Sequence, residues 1–343
     1  MERSERTAGI GLGLALLSAA TFGTSGTFAR SLTDAGWSAE AAVIARVGIA
    51  AVLLAVPAAV AMRGRWPVAR RSVRSVALYG VLAVVAAQVC FFNAIQHVPV
   101  GVALLLEYAG IIGVVGWMWV VHGKRPRPLT VAGTVVAIAG LVLVLDLTGN
   151  ATLDPVGVAW GLGAAAGLAG YFILSAHIDD ELPAVALACG GMAVGAGVLL
   201  AMGAVGLLSL QATFTDVVFA GHGTSWLVPV VGLSVVAAVV AYVSGIGSAR
   251  ILGAHLSSFV GLTEVLFAVL VAWLALGELP TAVQLAGGAL IVAGIALVRI
   301  DSLRDPEPDP DAAPAAPAFE PSAPSSPDRH PAPSASASGR STP

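Results

Sequence analysis

The amino-acid sequence predicts an all-α polytopic membrane protein whose ten transmembrane helices form two inverted five-helix repeats. Three features lead to this fold class: an apolar composition, ten long apolar runs and an internal repeat. Hydrophobic residues make up 57% of the chain and charged residues only 11%, about half the charged fraction of a soluble domain. Helices are the expected spanning elements, because a helix satisfies its own backbone hydrogen bonds in lipid.

The apolar runs are close to the roughly 20 residues that a helix needs to cross a bilayer. No ten-residue alternating pattern suggests a β-barrel. The first run is too long for the apolar core of a signal peptide and further runs follow it, so we interpret it as an uncleaved transmembrane helix. The predicted spans cover residues 8–29, 41–62, 75–95, 99–121, 129–147, 156–176, 184–208, 226–248, 255–276 and 282–299.

Basic residues predict the orientation, because cytoplasmic loops are enriched in Lys and Arg. The loop at 63–74 holds five arginines, and the loop at 122–130 holds one lysine and two arginines. Both loops, the N-terminus at 1–7 and the C-terminus are therefore expected in the cytoplasm, with the protein in the plasma membrane (the cell inner membrane of a bacterium). The loop after the sixth span, "HIDDELP", is expected on the same side although it is acidic.

The composition changes at the end of the last span. Residues 301–343 are rich in Pro, Ala and Ser and have no periodic apolar face. Such a composition cannot bury a core, so we predict a disordered cytoplasmic tail.

An internal repeat divides the membrane region into residues 8–147 and 156–299. The segment from Val131 to Val144 aligns without gaps on Leu285 to Val298, with six of fourteen positions identical. The alignment pairs Gly133 with Gly287 and Gly140 with Gly294, and upstream it brings Glu107 onto Glu264. Because each repeat has an odd number of spans, the second repeat must enter the membrane from the opposite side. Inverted repeats are typical of transporters whose substrate site lies near the midplane.

Glu107 and Glu264 are the main candidates for a functional site. At 1.5 Å per residue they lie roughly 12 Å and 14 Å into their spans, near mid-bilayer. A charged acid there costs about 2.5–3.5 kcal/mol on insertion scales. One interpretation is a substrate and proton pathway; the alternative is a protonated glutamate that bonds a neighbouring helix for stability alone.

Six further residues complete the candidate pathway. Each has a structural alternative: an arginine snorkelling to the interface, amides bonding neighbouring helices, or tyrosines anchoring at the interface. The six are Arg46, Gln88, Asn93, Tyr108, Tyr171 and Tyr242.

No catalytic or metal-binding motif stands out, so an enzyme, a metal and a cofactor are not expected. Walker A, HExxH, paired CxxC and Gly-x-Ser-x-Gly patterns are absent from the sequence. The two cysteines, Cys90 and Cys189, lie in apolar runs and resemble small hydrophobic residues. The net charge of −3 gives no indication of nucleic-acid binding.

The second half of the chain resembles a known family. "SSFVGLTEVLFAVLVAWLALGELPTAVQLAGGALIVAGIALV" is similar to the second repeat of EamA-type members of the drug/metabolite transporter superfamily. "SAATFGTSGTFAR" and "AVIARVGIAAVLLAV" resemble the opening of the first repeat, and "VALLLEYAGIIG" resembles the threonine/homoserine amino-acid exporters. The family often has Pro after the mid-helix acid, where this chain has Tyr108 and Val265. The resemblance implies a central cavity among spans one, three, four, six, eight and nine.

We therefore expect a secondary transporter that exports small metabolites, with amino acids as the favoured substrates and proton exchange as the mechanism. The expected partners are the small-molecule substrate, protons and lipid, and a homodimer is left open. Multidrug or quaternary-cation efflux is the alternative within the class, because an aromatic cage with a buried acid would serve it. A non-transporting membrane scaffold or sensor is the alternative from another class.

Overall fold

The computed structural model describes residues 2–123, 125–145, 154–179, 181–277 and 279–303, and most of them are helical. The helices are α1 Glu2–Gly23, α2 Ser25–Asp34, α3 Ala39–Ala61, α4 Trp66–Tyr79, α5 Ala87–Ala94, α6 Val100–Tyr108, α7 Gly110–His122, α8 Pro128–Val144, α9 Pro155–His177, α10 Ala184–Ala204, α11 Leu227–Ser234, α12 Ala241–Gly261, α13 Thr263–Leu276 and α14 Ala282–Leu303. Two short strands, β1 Val217–Phe219 and β2 His222–Thr224, form a hairpin between α10 and α11.

The helices are long and apolar enough for a membrane protein. In the described part of the chain, eight continuous helical stretches of 21 to 35 residues meet the length and hydropathy of a membrane span. Two shorter apolar helices, Pro128–Val144 and Thr263–Ala275, accompany them. A polytopic helical membrane protein is therefore confirmed.

The predicted loop at 63–74 is mostly helix. Pro67 lies in the first turn of α4, where a missing N–H costs nothing, and α4 forms the beginning of the helical stretch Trp66–Ala94 that contains the third span. Its arginines project from an exposed helical surface, since the side chains of Arg70, Arg71 and Arg74 are all exposed. The sequence prediction was wrong here because charge was taken as a sign of a loop, whereas arginine is a good helix former.

The boundary between the eighth and ninth predicted spans lies at one glycine. Gly253 has φ 77° and ψ 163°, and it separates two helical parts of α12. This conformation is open to glycine and strained for other residues. The ninth span therefore consists of the second part of α12 followed by α13, and the eighth continues to residue 252 rather than ending at 248.

Several other span ends differ from the sequence prediction. Residues 2–7, predicted as an N-terminal segment before the first span, already belong to α1, and α2 extends the first span to Asp34 rather than 29. The helix of the seventh predicted span, α10, ends at Ala204 rather than at 208. The helix of the fifth predicted span, α8, ends at Val144 rather than at 147. Asp301–Leu303, predicted as tail, continue α14. The reason is a buried contact: Thr130 Oγ1 donates a hydrogen bond to Asp301 Oδ2 at 2.6 Å, which holds the end of α14 against α8. The rest of the predicted tail lies outside the described residues.

Two π-helical segments interrupt the third and eighth spans. One covers Gly80–Ala86, between α4 and α5, and the other covers Val235–Val240, between α11 and α12. π-Helical turns are rare and occur frequently at functional sites. Ala83 of the first segment, Ala87 directly after it and Tyr242 shortly after the second line the cavity described below.

Glycines bring α8 and α14 into backbone contact. A Cβ atom at Gly140 would lie 2.6 Å from the Gly287 carbonyl oxygen, and one at Gly287 would lie 2.6 Å from the Gly140 carbonyl oxygen. Gly133 and Gly294 face each other in the same way, at 2.8 Å and 2.6 Å. Small residues of this kind allow close helix packing in lipid, where apolar side chains gain little from association.

The acidic loop between α9 and α10 is held against α4. Arg71 Nε donates to Asp179 Oδ2 at 2.8 Å, and Arg71 Nη2 donates to Glu181 Oε2 at 2.5 Å. The backbone N–H of Glu181 and the Arg71 guanidinium hold the pKa of Asp179 below its ordinary value. Because this favours the carboxylate, the contact is complete at neutral pH and weakens only as the pH falls through that folded-state pKa. The acidic loop thus lies beside the arginine-rich helix, as expected if both face the same side of the membrane.

The segment between α10 and α11 packs against the turn between α2 and α3. Trp37 Nε1 donates to the Thr213 carbonyl at 2.5 Å, and Ser38 Oγ donates to the Ser209 carbonyl at 2.6 Å. The Phe28 and Phe219 rings stack with centroids 5.1 Å apart. This segment therefore joins the first half of the chain to the second.

Candidate functional site

A cavity of about 220 Å³ lies between α1, α3, α5, α6, α9, α12 and α13. Its wall combines ionisable, hydroxyl, amide and aromatic side chains in a region built from apolar helices. The residues that line it are Ala15, Ser18, Ala19, Phe22, Ser25, Arg46, Ala83, Ala87, Gln88, Phe91, Leu104, Glu107, Tyr108, Leu168, Tyr171, Phe172, Tyr242, Gly245, Ser248, Ser257, Gly261 and Glu264.

Both glutamates lie at irregular points in their helices. Glu107 is in the last turn of α6, just before the turn at Ala109, and Glu264 is in the first turn of α13, just after the turn at Leu262. At these turns some backbone hydrogen bonds join residues three apart instead of four. Leu262 N–H, for example, donates to the Phe259 carbonyl at 3.1 Å. Each glutamate is partly buried, and the two interact electrostatically across the cavity.

Arg46 is the cation of the site. Its side chain does not reach the helix end but stays buried, with 8% of the residue exposed. The guanidinium lies over the Phe22 ring, with Cζ 5.7 Å from the ring centroid, a cation–π arrangement. It interacts electrostatically with Glu107 and Glu264, yet among the described residues no direct ion pair joins it to either.

Aromatic rings form one side of the cavity. The Phe22 ring centroid is 5.1 Å from that of Tyr242 and 6.3 Å from that of Tyr171, both edge to face. Tyr171 also meets Tyr242 at 5.5 Å and Phe172 at 4.9 Å. Edge-to-face contacts of this kind fix the rings in place. On the acidic side, Tyr108 lines the cavity together with Glu264 and interacts with it electrostatically.

Serine hydroxyls add polarity near the bend at Gly253. Ser248 and Ser257 lie on the two parts of α12, and their Oγ atoms are 3.2 Å apart. Their hydrogen bond therefore links the eighth and ninth spans next to the cavity. On α1, Ser18 Oγ donates to the Ala241 carbonyl at 2.8 Å, which ties α1 to α12.

A comparison with known families identifies the chain. The sequence model of the family described as "EamA-like transporter family" matches residues 9–146 and again residues 155–300. The chain belongs to the EamA-like transporter family. It is accordingly a multi-pass membrane protein of a transporter family.

One curated relative and one solved structure add to the comparison. The "Uncharacterized transporter YwfM" of Bacillus subtilis (strain 168) is 32% identical over 97 residues, which is 28% of this chain and 33% of that protein. A solved structure titled "Crystal structure of protein" superposes with a TM-score of 0.62 at 19% identity, over 87% of this chain and 99% of that one. At that identity the likeness shows the fold alone. Neither match distinguishes the amino-acid exporters, so that narrower resemblance stays a prediction.

In this EamA-family chain, the structure brings together seven of the eight candidate residues. Glu107, Glu264, Arg46, Gln88, Tyr108, Tyr171 and Tyr242 all line the cavity. Asn93 does not line it. Its Nδ2 donates to the Val89 carbonyl at 2.8 Å, within its own helix.

Other cavity residues were missed by sequence reasoning. Ser18, Phe22 and Ser25 lie four and three residues apart, from the end of α1 to the first residue of α2, a spacing that could have indicated one helical face. Ser248 and Ser257 had no such signal, because they meet only through the bend at Gly253. The second span was also absent from the cavity implied by the family resemblance, although its Arg46 lines the cavity.

No group of three or more His, Cys, Asp or Glu that could hold a metal ion occurs within the described ranges.

Proposed function

We propose that this chain is a secondary transporter that exports small metabolites, amino acids in particular, in exchange for protons. One observation carries the proposal: Glu107, Glu264 and Arg46 share a single cavity within the membrane-spanning helices. The charge of Arg46 offsets only one of two carboxylates, and an uncompensated buried charge is costly. The other carboxyl therefore takes either a proton or the amino group of a substrate. Two cations that compete for one carboxyl are exchanged for one another.

The size of the cavity favours small substrates. Sites for drug-sized ligands typically occupy about 300–1,000 Å³, whereas this cavity measures about 220 Å³. An amino acid or a metabolite of similar size fits this volume more readily than a large drug does.

Packing of α8 against α14 supports two inverted repeats, 8–147 and 156–299. In the sequence repeat Gly133 corresponds to Gly287, and Gly140 to Gly294. Gly133 packs on Gly294 and Gly140 on Gly287, so each contact has its equivalent in the other half. Reciprocal contacts of this kind are expected at an interface with two-fold symmetry.

The positions of the π-helical segments agree with the same ten-span arrangement. One lies in the third span and the other in the eighth, which are equivalent in two five-span repeats. Helix irregularities at matching positions around a midplane cavity are typical of transporters that alternate access by moving one repeat against the other.

Orientation can be tested with single cysteines. After Cys90 and Cys189 are replaced, we expect Ala212→Cys to react with an impermeant thiol reagent outside intact cells. Arg65→Cys should react only after permeabilisation, because the arginine-rich end of α4 is expected in the cytoplasm. Both positions are exposed in the structure. Reaction of Arg65→Cys but not Ala212→Cys in intact cells would reverse the topology and the direction of export.

The aromatic wall favours a second candidate, efflux of organic cations. Phe22, Tyr171 and Tyr242 could surround a quaternary ammonium group. Against this, the Phe22 ring is already in contact with the Arg46 guanidinium, whose charge repels a cation. We therefore rank small metabolites first.

Metabolite profiling tests the proposal without a prior choice of substrate. Medium from cells that express the chain should be enriched in one or a few small amine-bearing metabolites, relative to cells that express Glu264→Gln at the same level. Equal profiles from both strains would favour the scaffold or sensor alternative.

A variant that ends at Arg304 should export as the full chain does, whereas loss of export with normal expression would assign the tail a role.

A further inference from the structure

Two buried polar atoms in the cavity wall lack hydrogen-bond partners among the described residues: Arg46 Nε and the Tyr171 hydroxyl oxygen. Both residues are more than nine-tenths buried, with 8% and 6% of their surface exposed. Buried polar groups are nearly always hydrogen-bonded, and leaving one without a partner is costly. Two such groups in one cavity therefore indicate a place where a ligand supplies the partner.

The chemistry of these two groups defines that ligand. A guanidinium has hydrogen-bond donors and no acceptor, and the Tyr171 hydroxyl can donate a hydrogen bond. Both side chains pack against Phe22, with Arg46 Cζ 5.7 Å and the Tyr171 ring 6.3 Å from its centroid. Ser18 lines the same cavity, but its hydroxyl donates to the Ala241 carbonyl at 2.8 Å. Two donors that line one partly apolar cavity and both pack against Phe22 match an anionic oxygen group.

A glycine creates the space around the tyrosine hydroxyl. A Cβ atom at Gly245 would collide with the Tyr171 hydroxyl, and it would lie 2.7 Å from Ser18 Oγ. The backbone of α12 can approach this closely only because residue 245 has no side chain. The hydroxyl thus keeps its position in the cavity wall at a site where alanine would displace it.

We propose that Arg46 and Tyr171 form a carboxylate-binding subsite, so that this cavity selects molecules carrying both a carboxylate and an amino group. The inference rests on the proposed transport function and specifies how the substrate lies. The carboxylate accepts hydrogen bonds from Arg46 and Tyr171, and the amino group faces the Glu264 and Glu107 carboxyls. The Arg46 guanidinium and the two glutamate carboxyls share the cavity without a direct ion pair. A molecule that carries both a negative and a positive group can therefore bridge them.

The test uses the full chain in proteoliposomes and three related amines as probes. L-Threonine has both charged groups, L-threonine amide lacks the carboxylate, and 1-amino-2-propanol lacks the carboxyl group altogether. The wild type is expected to exchange L-threonine at least tenfold faster than either amine. Arg46→Gln should lower that preference to less than threefold, mainly by slowing L-threonine. Arg46→Lys should restore part of it, because a charge returns without the guanidinium geometry.

Tyr171→Phe keeps the inference testable if Arg46 variants fold poorly. We expect it to raise the KM for L-threonine several-fold and to leave the KM for the two amines nearly unchanged. Tyr79→Phe is the matched control, because Tyr79 is fully buried outside the cavity and its hydroxyl is within 3.5 Å of Ser175 Oγ. Equal exchange of all three probes by the wild type, or unchanged preference in Arg46→Gln and Tyr171→Phe, would overturn the subsite and leave transport standing. Absence of exchange for every amine-bearing metabolite would overturn the proposed function and this inference together.

Discussion

Replacing Glu264 with glutamine is expected to reduce proton-coupled transport at least tenfold while expression stays near the wild-type level. Glutamine keeps the shape and the hydrogen-bonding capacity of the side chain but cannot take up or release a proton. Glu264 lines the cavity beside Tyr108. In the proposed mechanism its carboxyl is the group for which a proton and a substrate amine compete. The measurement is substrate-driven proton flux in proteoliposomes, with the amount of inserted protein determined for each variant.

Two further variants define what this result means. Glu107→Gln should also impair coupling, though not necessarily to the same degree. Glu107 lies in the last turn of α6, whereas Glu264 lies in the first turn of α13, where a helix N-terminus stabilises negative charge. Glu40→Gln is the matched control, since Glu40 lies in the first turn of α3 and does not line the cavity. It should transport like the wild type.

A structural role for Glu264 predicts a different pattern. Glutamine would then replace a protonated glutamate without loss, and only Glu264→Leu would lower stability, by roughly 0.6–2 kcal/mol for a lost interhelical hydrogen bond. Normal pH-dependent flux in both glutamine variants would exclude the proposed mechanism and leave the fold unaffected.

Replacing Gly140 with alanine is expected to destabilise the protein by about 1–3 kcal/mol, the usual cost of overpacking a well-packed contact. The new methyl group would lie 2.6 Å from the Gly287 carbonyl oxygen and 2.7 Å from the Ile291 nitrogen. Both are backbone atoms, so α8 and α14 must move apart. Thermal unfolding of the purified protein in one fixed detergent measures the effect.

The symmetric contact makes a second, sharper expectation. Gly287→Ala should cost about as much as Gly140→Ala, because each glycine faces the carbonyl of the other. The double variant should cost clearly less than the sum, since helices separated by the first methyl group have room for the second. Gly197→Ala in α10 is the control, because a Cβ atom there meets nothing within 4 Å. There the better helix propensity of alanine should leave stability unchanged or raised. Equal melting temperatures for Gly140→Ala and Gly197→Ala would show that α8 and α14 do not pack as described.

Much of the fold follows from apolar run lengths, because a membrane helix must satisfy its own backbone and reach across the hydrocarbon. The bend at Gly253 could not be predicted, since an isolated glycine in an apolar region is compatible with a helix interior, a close helix–helix contact or a turn. The π-helical segments have no sequence signature of their own. The hairpin at Val217–Thr224 is too short for an alternating pattern, and its turn combines Gly221 with Ala220, an unusual residue at φ 51°.

The sequence predicted the two acidic residues of the candidate site more clearly than it predicted the role of Arg46. Glu107 and Glu264 stand out because ionisable residues in mid-span are rare and expensive. For Arg46 the sequence left snorkelling and function equally open, and only packing against Phe22 shows which way the side chain lies. The internal alignment made Gly133 equivalent to Gly287 but could not show that Gly133 contacts Gly294, because equivalence in a repeat does not indicate which pairs touch.

The central claim is that substrate and proton cross this cavity in opposite directions. Proteoliposomes loaded with a substrate amino acid and a trapped pH-sensitive dye, and diluted into substrate-free buffer at equal pH, test it directly. As substrate leaves, protons should enter, so the interior should acidify in wild-type vesicles and not in Glu264→Gln vesicles. Substrate efflux with an unchanged or more alkaline interior would contradict proton exchange through this site.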